Sequence, residues 1–328
     1  MKGATLSTDI HAACELLRAG KVVSFPTETV YGLGADAGNP LAVRGIFELK
    51  GRPADHPLIV HLADSASLAQ WASEVPEDAY RLAEHFWPGP LTLILPKAAA
   101  VPLEVTGGQD TIGLRVPDHP LALELLRTFG GGLAAPSANR FGRISPTSAN
   151  HVRDELGDRI EMILDGGDCQ VGLESTIISL VDNIPRLLRP GGIPAAEVSA
   201  VLGGRLEFSS PAHSRVRAPG MLSSHYAPTT PLELCPGEEL WPRVHALIKN
   251  GERPAVMTLA PAGRGLEVEP GIARVVMPST PREYARQLYA TLRTLDAGGH
   301  SRLLVEIPPA TGEWLAIQDR LRRAATPA

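Results

Sequence analysis

The stretch SFPTETVYGLG, residues 24–34, decides how the first half of the chain is read. The apolar run Val22–Phe25 before it has the composition of a buried strand, and Pro26 ends it. Thr27, Glu28 and Thr29 follow, then Tyr31 and two glycines. Alone, the segment reads as a turn. At the end of a buried strand it also reads as the wall of a binding edge, with small polar groups and glycines that let backbone approach closely.

The rest of the composition sets limits. The 328 residues suggest roughly two domains. Lys and Arg number 31 against 36 Asp and Glu, a net charge of −5, so a general nucleic-acid coat is excluded and any polyanion site is a local patch. Cys14, Cys169 and Cys235 are far apart and odd in number. They give neither metal spacing nor a disulfide framework and point to a reducing, cytoplasmic setting. No apolar run at the N-terminus reads as a signal, and none elsewhere is long enough for a membrane span.

Periodicity then organises the chain as α/β. Thr8 or Asp9 caps a first helix with the stripe Ile10, Cys14, Leu17, and Asn39-Pro40 opens a second. Strands are predicted at 58–63, 91–95, 112–116 and from 133, and later in EMILD, STIISLV and PRLLR. Helices are predicted at 65–72, 77–86, 121–129 and after Thr147 or Ser148. Around residue 205 the pattern lapses; 208–228 reads as linker. Beyond it, strands and helices alternate cleanly, as in a small open domain with a largely parallel sheet. The boundaries that follow are 1–205, a linker or lid at 206–230, and 231–328.

Polar residues gather beside the predicted strands. KGRPADHPLIVH (50–61) carries Lys50, Arg52 and His61; TIGLRVP carries Thr111 and Arg115; APSANRFGRISPTS (135–148) carries Ser137, Asn139, Arg140, Arg143 and Ser145. GLESTIIS and LLRPGG add Glu174, Ser175, Thr176 and Arg189. Singly, each has a plainer reading: a solvated loop pair, a satisfied core histidine, a turn, a packed tyrosine. Arg115 is harder to set aside, because a guanidinium inside an apolar strand needs an anionic partner. Together the arginines, hydroxyls and amides describe a pocket for a small, multiply anionic ligand at strand ends. No P-loop, no GxGxxG after a strand, no HExxH and no nucleophile elbow is present. The residues themselves stop at an anion pocket for a nucleotide or phosphate.

Seven motifs in order, SFPTETVYGLG, KGRPADHPLIVH, WPGPLTLIL, TIGLRVPDHP, APSANRFGRISPT, GLESTIISL and LLRPGG, resemble the YrdC-like enzymes. With APGMLSSHYAP and the second α/β unit, the chain resembles the long, two-domain threonylcarbamoyl-AMP synthases. The resemblance implies a YrdC-like twisted mixed sheet with a small Rossmann-like domain after it. It implies formation of L-threonylcarbamoyladenylate and pyrophosphate from L-threonine, bicarbonate or CO2, and ATP with Mg2+. No tightly bound, protein-ligated metal is expected. A downstream tRNA threonylcarbamoyl transferase would use the product next to the anticodon; direct tRNA binding is left open. By position, Thr29, His61, Arg115, Ser175 and the backbone near Ala135 would hold threonine. Arg52, His56, Thr111, Ser137, Ser145, Arg189 and His225 would hold ATP, and Lys50 would add charge at the phosphates, with Lys50 and Arg52 the catalytic pair. Tyr31, Asn139 and Tyr226 would line the pocket or its lid. The chain departs from the pattern in having Leu222, Ser223 and Ser224 before the HY pair and His56 where asparagine is common. Two alternatives are an RNA-binding module with a basic YrdC-like face and a carbamoyl-transfer domain. Overall acidity speaks against the first, and the lack of zinc-finger cysteines and of an acylphosphatase segment against the second.

Overall fold

A computed structural model describes residues 4–182, 184–208, 216–260 and 272–326. It divides into two compact units, Met1–Phe141 with Ser145–Met221, and Gly142–Ile144 with Leu222–Ala328. The stretch expected as linker is therefore not uniform. Glu207–Phe208 pairs with Arg186 and Leu187 as an edge strand. Residues 209–215 lie outside the described residues. Ala218 packs with Ile59, Ile94, Ile177 and Leu188, alongside Val216 and Met221, in the first unit.

In the first unit eleven strands form one mixed sheet among the described residues. Their order across the sheet is Thr5–Ser7, Met162–Leu164, Val23–Phe25, Gly32–Asp36, Leu133–Ala134, Ile59–His61, Thr111–Arg115, Leu91–Pro96, Thr176–Ser179, Arg186–Arg189 and Glu207–Phe208. Helix starts follow the sequence signals. Asp9 accepts from the Ala12 amide, Asn39 from those of Leu41 and Ala42, and Ser148 from that of His151. Sequence reading missed the strand Gly32–Asp36, taking its glycines as a flexible edge. They are small for a packing reason. A Cβ on Gly34 would lie 2.6 Å from the Phe25 ring on the neighbouring strand, and one on Gly32 would lie 3.2 Å from it. Gly191 is likewise obligatory: a Cβ there would sit 2.3–2.4 Å from the backbone of Glu174, Ser175 and Thr176.

Register fixes what each face of the sheet carries, since paired residues point to the same side and alternate residues to opposite sides. His61 pairs with Arg115 and Ile59 with Gly113. Gly113 pairs with Ile94, Thr92 with Ile177, and Ile177 with Arg189. One face thus carries His61, Arg115, Thr111, Thr92, Ser175 and Arg189 around an apolar patch of Ile59, Ile94 and Ile177. The other carries Val60, Leu93, Leu114, Ile178 and Leu187, all buried and apolar. The polar groups stand at strand ends as expected, with His61, Arg115 and Arg189 closing their strands and Ser175 directly preceding Thr176–Ser179, and register puts them on one face.

Among the described residues the second unit has a wholly parallel four-stranded sheet, ordered Leu232–Cys235, Arg302–Glu306, Pro254–Leu259 and Ala273–Met277. Helices Gly237–Lys249, Pro281–Asp296 and Leu315–Ala325 accompany it, and Leu240, Val244 and Leu247 pack with Val256 and Leu304. This is the small open α/β arrangement that strand–helix alternation predicts.

Gly34→Ala should destabilise the first unit by ~1–3 kcal/mol, the cost of overpacking a fixed core ring. Gly45→Ala is the control. Its Cβ would make an ordinary 3.5 Å contact inside the helix Pro40–Lys50, so it should be neutral or stabilising by up to ~1 kcal/mol. Urea unfolding midpoints of the two variants check the pair.

Candidate active site

The segment 27–31 folds into a tight buried turn. Thr27 Oγ1 donates to the Val30 carbonyl at 2.6 Å and accepts from the amides of Thr29 and Val30 at 3.2 Å each. Thr29 Oγ1 lies 2.8 Å from it. Tyr31 faces away from this contact. Fully buried, its hydroxyl donates to the Gly167 carbonyl at 2.8 Å and accepts from the Gly166 amide at 3.1 Å, tying the turn to a second loop.

Glu28 answers the demand made by Arg115. Its Oε1 stands 2.6 Å from Arg115 Nη2, with the two side chains 6% and 5% exposed. Arg115 Nε donates to the Gly89 carbonyl at 3.3 Å. The ion pair is close but out of line. Glu28 Oε1 and Oε2, Arg115 Nη2 and the neighbouring His61 Nδ1 are all buried without a hydrogen bond among the described residues. His61 is neutral: burial, and then the Arg115 charge, bring its pKa down from 6.5 to about 3. Its ring meets Phe25 edge-on, with centroids 5.8 Å apart. The Ala135 amide donates to the Ile59 carbonyl, which holds residue 135 beside the His61 strand.

Ser175 lies further along the same face. Its Oγ is 2.7 Å from Thr92 Oγ1 and accepts from Arg189 Nη2 at 3.0 Å. Arg189 also donates to the Ser175 carbonyl, from Nη2 at 2.8 Å and from Nε at 3.1 Å, and to the Pro219 carbonyl at 2.9 Å. Ser145 Oγ donates to Glu174 Oε1 at 2.6 Å.

A third group surrounds the turn after Ala135. Lys50, 4% exposed, donates from Nζ to the Ser137 carbonyl at 2.6 Å and to the Asn139 carbonyl. Burial, and then the Arg52 charge, push its pKa well below the usual lysine value. The ammonium expected at a phosphate is thus engaged in holding the turn that presents Ser137. Asn139 Nδ2 donates to the Arg140 carbonyl at 2.7 Å, which stiffens that turn. Arg52 donates to the Pro57 carbonyl at 3.0 Å and lies 5.7 Å over the Phe141 ring, against which the half-buried His56 also packs at 5.3 Å. Thr111 begins the Arg115 strand, opposite Pro96.

His225 and Tyr226 belong to the second unit. Their rings meet edge-on at 4.1 Å. Tyr226 adopts φ 61°, stacks on Tyr289 at 5.8 Å and lies 5.0 Å beneath the buried Arg320 guanidinium. The first unit therefore gathers Thr29, His61, Arg115, Ala135 and Ser175, with Arg189, on one side and Lys50, Arg52, His56, Ser137 and Asn139 on the other. Sequence reading assigned no role to Thr92 or Phe141, and it left Glu28 as unspecified wall. The signal for Thr92 was a hydroxyl at an alternating position in LTLIL. The signal for Glu28 was the unpaired arginine itself.

Depressed titration of His61 has a consequence for stability. Its folded pKa lies below its unfolded value, so the unfolded chain binds the extra proton between pH 6.5 and about 3. Stability is fully present above 6.5 and falls on acidification by ~1.4 kcal/mol per pH unit inside that window. His61→Gln should flatten this part of the curve relative to the unsubstituted chain. Denaturant unfolding at a series of pH values measures it.

Comparisons with known proteins bear on the family of the whole chain. A Sua5–YciO–YrdC family model described as "Telomere recombination" matches residues 15–191, and one described as "Threonylcarbamoyl-AMP synthase, C-terminal domain" matches 193–326. The chain is 44% identical to the threonylcarbamoyl-AMP synthase of Bacillus subtilis, covering 98% of this chain and 94% of that protein. It is 42% identical to that of Pyrococcus abyssi, over 96% and 94%. The crystal structure of P. abyssi Sua5 complexed with L-threonine superposes with a TM-score of 0.87 at 41% identity, covering 96% of this chain and 94% of that one. Matched by both family models along its length and 42–44% identical to these synthases over almost the whole chain, the chain belongs to the threonylcarbamoyl-AMP synthase family, in its two-domain form.

Proposed function

We propose that the sheet face around Arg115 binds L-threonine and that the Lys50–Arg52–Ser137 side binds ATP. The two together yield threonylcarbamoyl-AMP and pyrophosphate. What supports this division is one observation: Arg115 Nη2 is buried in a protein interior without a hydrogen bond, beside a neutral histidine. Buried donors without a hydrogen bond are rare and costly even beside a counter-charge, and an amino-acid carboxylate satisfies this one.

The chemistry needs no protein nucleophile. The threonine nitrogen, after losing its ammonium proton, attacks CO2 to give a carbamate and a further proton; from bicarbonate the same step releases water. A carbamate oxygen then attacks the α-phosphorus of ATP, and pyrophosphate leaves. The chain contributes placement and charge. Arg115 holds the carboxylate. Ser175, oriented by Thr92 and by Arg189, meets the threonine hydroxyl. A site that hydrogen-bonds this hydroxyl rejects analogues lacking it. Arg52, fixed by Pro57 and Phe141, offsets charge on the phosphates together with Arg189. Lys50 acts through the 137–139 turn, presenting Ser137 and its amides to the nucleotide. Mg2+ arrives on the ATP and neutralises phosphate charge there. Burial of the face keeps water from the labile carbamate. The product passes to a tRNA threonylcarbamoyl transferase in the cytoplasm.

Incubating the chain with ATP, threonine and bicarbonate should yield threonylcarbamoyl-AMP by mass spectrometry, with pyrophosphate release that depends on threonine. Arg52→Ala should lower kcat/KM for ATP by a factor equivalent to at least ~2 kcal/mol. Arg115→Ala should act chiefly on threonine, raising its KM at least roughly tenfold by removing the carboxylate partner. Wild-type turnover by Arg52→Ala refutes its place at the phosphates.

A further inference from the structure

An ion pair kept only for stability uses its donors: the carboxylate lies in the plane of the guanidinium fork and both oxygens are satisfied. The Glu28–Arg115 pair does not. At 2.6 Å the charges touch, yet both carboxylate oxygens and Nη2 lack hydrogen bonds among the described residues. Two acceptors and one donor are therefore desolvated with incomplete hydrogen bonding, side by side, at side-chain exposures of 6% and 5%. The Thr29 hydroxyl, whose oxygen lies 2.8 Å from Thr27 Oγ1, adds a further oxygen next to Glu28 that can accept. The wall at 28–29 thus presents acceptors, and Arg115 opposite presents donors.

We propose that Glu28 is a specificity-determining residue. Its carboxylate receives the α-ammonium of the amino-acid substrate while Arg115 receives the carboxylate, so the pocket takes a zwitterion. This rests on reading the face as the threonine site and adds a selection rule to it. The empty pair is neutral, and a zwitterion leaves it neutral. A hydroxy acid without the amine brings a net negative charge into a buried site and leaves Glu28 without a donor, and each is penalised. The same contact fixes the substrate nitrogen, the atom that must meet the carbon of CO2.

Calorimetric binding of L-threonine and of 3-hydroxybutanoate, which is threonine without its amine, tests this on the full chain. The unsubstituted protein should prefer threonine by at least roughly 100-fold. Glu28→Gln should weaken threonine at least about 30-fold and leave 3-hydroxybutanoate within about threefold or bind it better, since the acid no longer faces a like charge. An equal loss for both ligands, or an unchanged threonine affinity, overturns the inference. The first result would make Glu28 only a support for Arg115. Glu28→Asp keeps the charge against Arg115 and covers a folding failure of Glu28→Gln. It should reduce the preference for threonine at least about fivefold, because its carboxylate is withdrawn by one methylene; a wild-type preference counts against the proposal. If the unsubstituted chain binds no threonine at all, the site reading itself fails, and this rule with it.

Discussion

A guanidinium has been placed on the face of a sheet, under cover, and the surrounding structure accommodates it. Moving such a charge out of water costs several kcal/mol, and removing one partner of a buried pair typically costs about 3–5 kcal/mol. The chain meets the demand by folding 27–31 into a turn held by Thr27, which delivers Glu28 to Arg115. His61 stays neutral beside the pair and adds no second positive charge. Local sequence, turn chemistry and electrostatics thus converge on one strand position. The incomplete hydrogen bonding that results is the feature that reads as function.

The second theme is that binding groups are tied to backbone. Arg189 grips the Ser175 carbonyl and hydroxyl, and Lys50 grips the carbonyls of Ser137 and Asn139. Gly191 brings the LLRPGG turn against Glu174–Thr176 closely enough for the first grip. Charged side chains used this way hold their partners within the tolerances that placement-based catalysis requires. The two sides of the proposed site also share elements: Ala135 lies beside the His61 strand, and Ser137 follows two residues later on the Lys50 turn.

Much of this was legible in the sequence. Helices with an Asn39-Pro40 or Ser148 start, and strands such as LTLIL, announced themselves by caps and period. Arg115 could be singled out because a charge in an apolar strand is costly. Other features depend on three-dimensional neighbours. Gly32–Asp36 has the composition of a loop and becomes a strand because the Phe25 ring needs the space of two glycines. The location of the site on a sheet face follows from cross-strand register, which no single segment encodes. Lys50 looked like a phosphate ligand by type, and only its place under the 137–139 carbonyls shows the nearer task.

The central claim is that Arg115, Glu28 and His61 form an open set of buried polar groups awaiting an amino acid. A crystal structure of the full chain with L-threonine bound tests it most directly. The account predicts the threonine carboxylate within hydrogen-bond distance of Arg115 Nη2 and its nitrogen beside Glu28 and Thr29. Threonine located away from this face, or Arg115 still turned only toward Glu28 with the amino acid elsewhere, would contradict it.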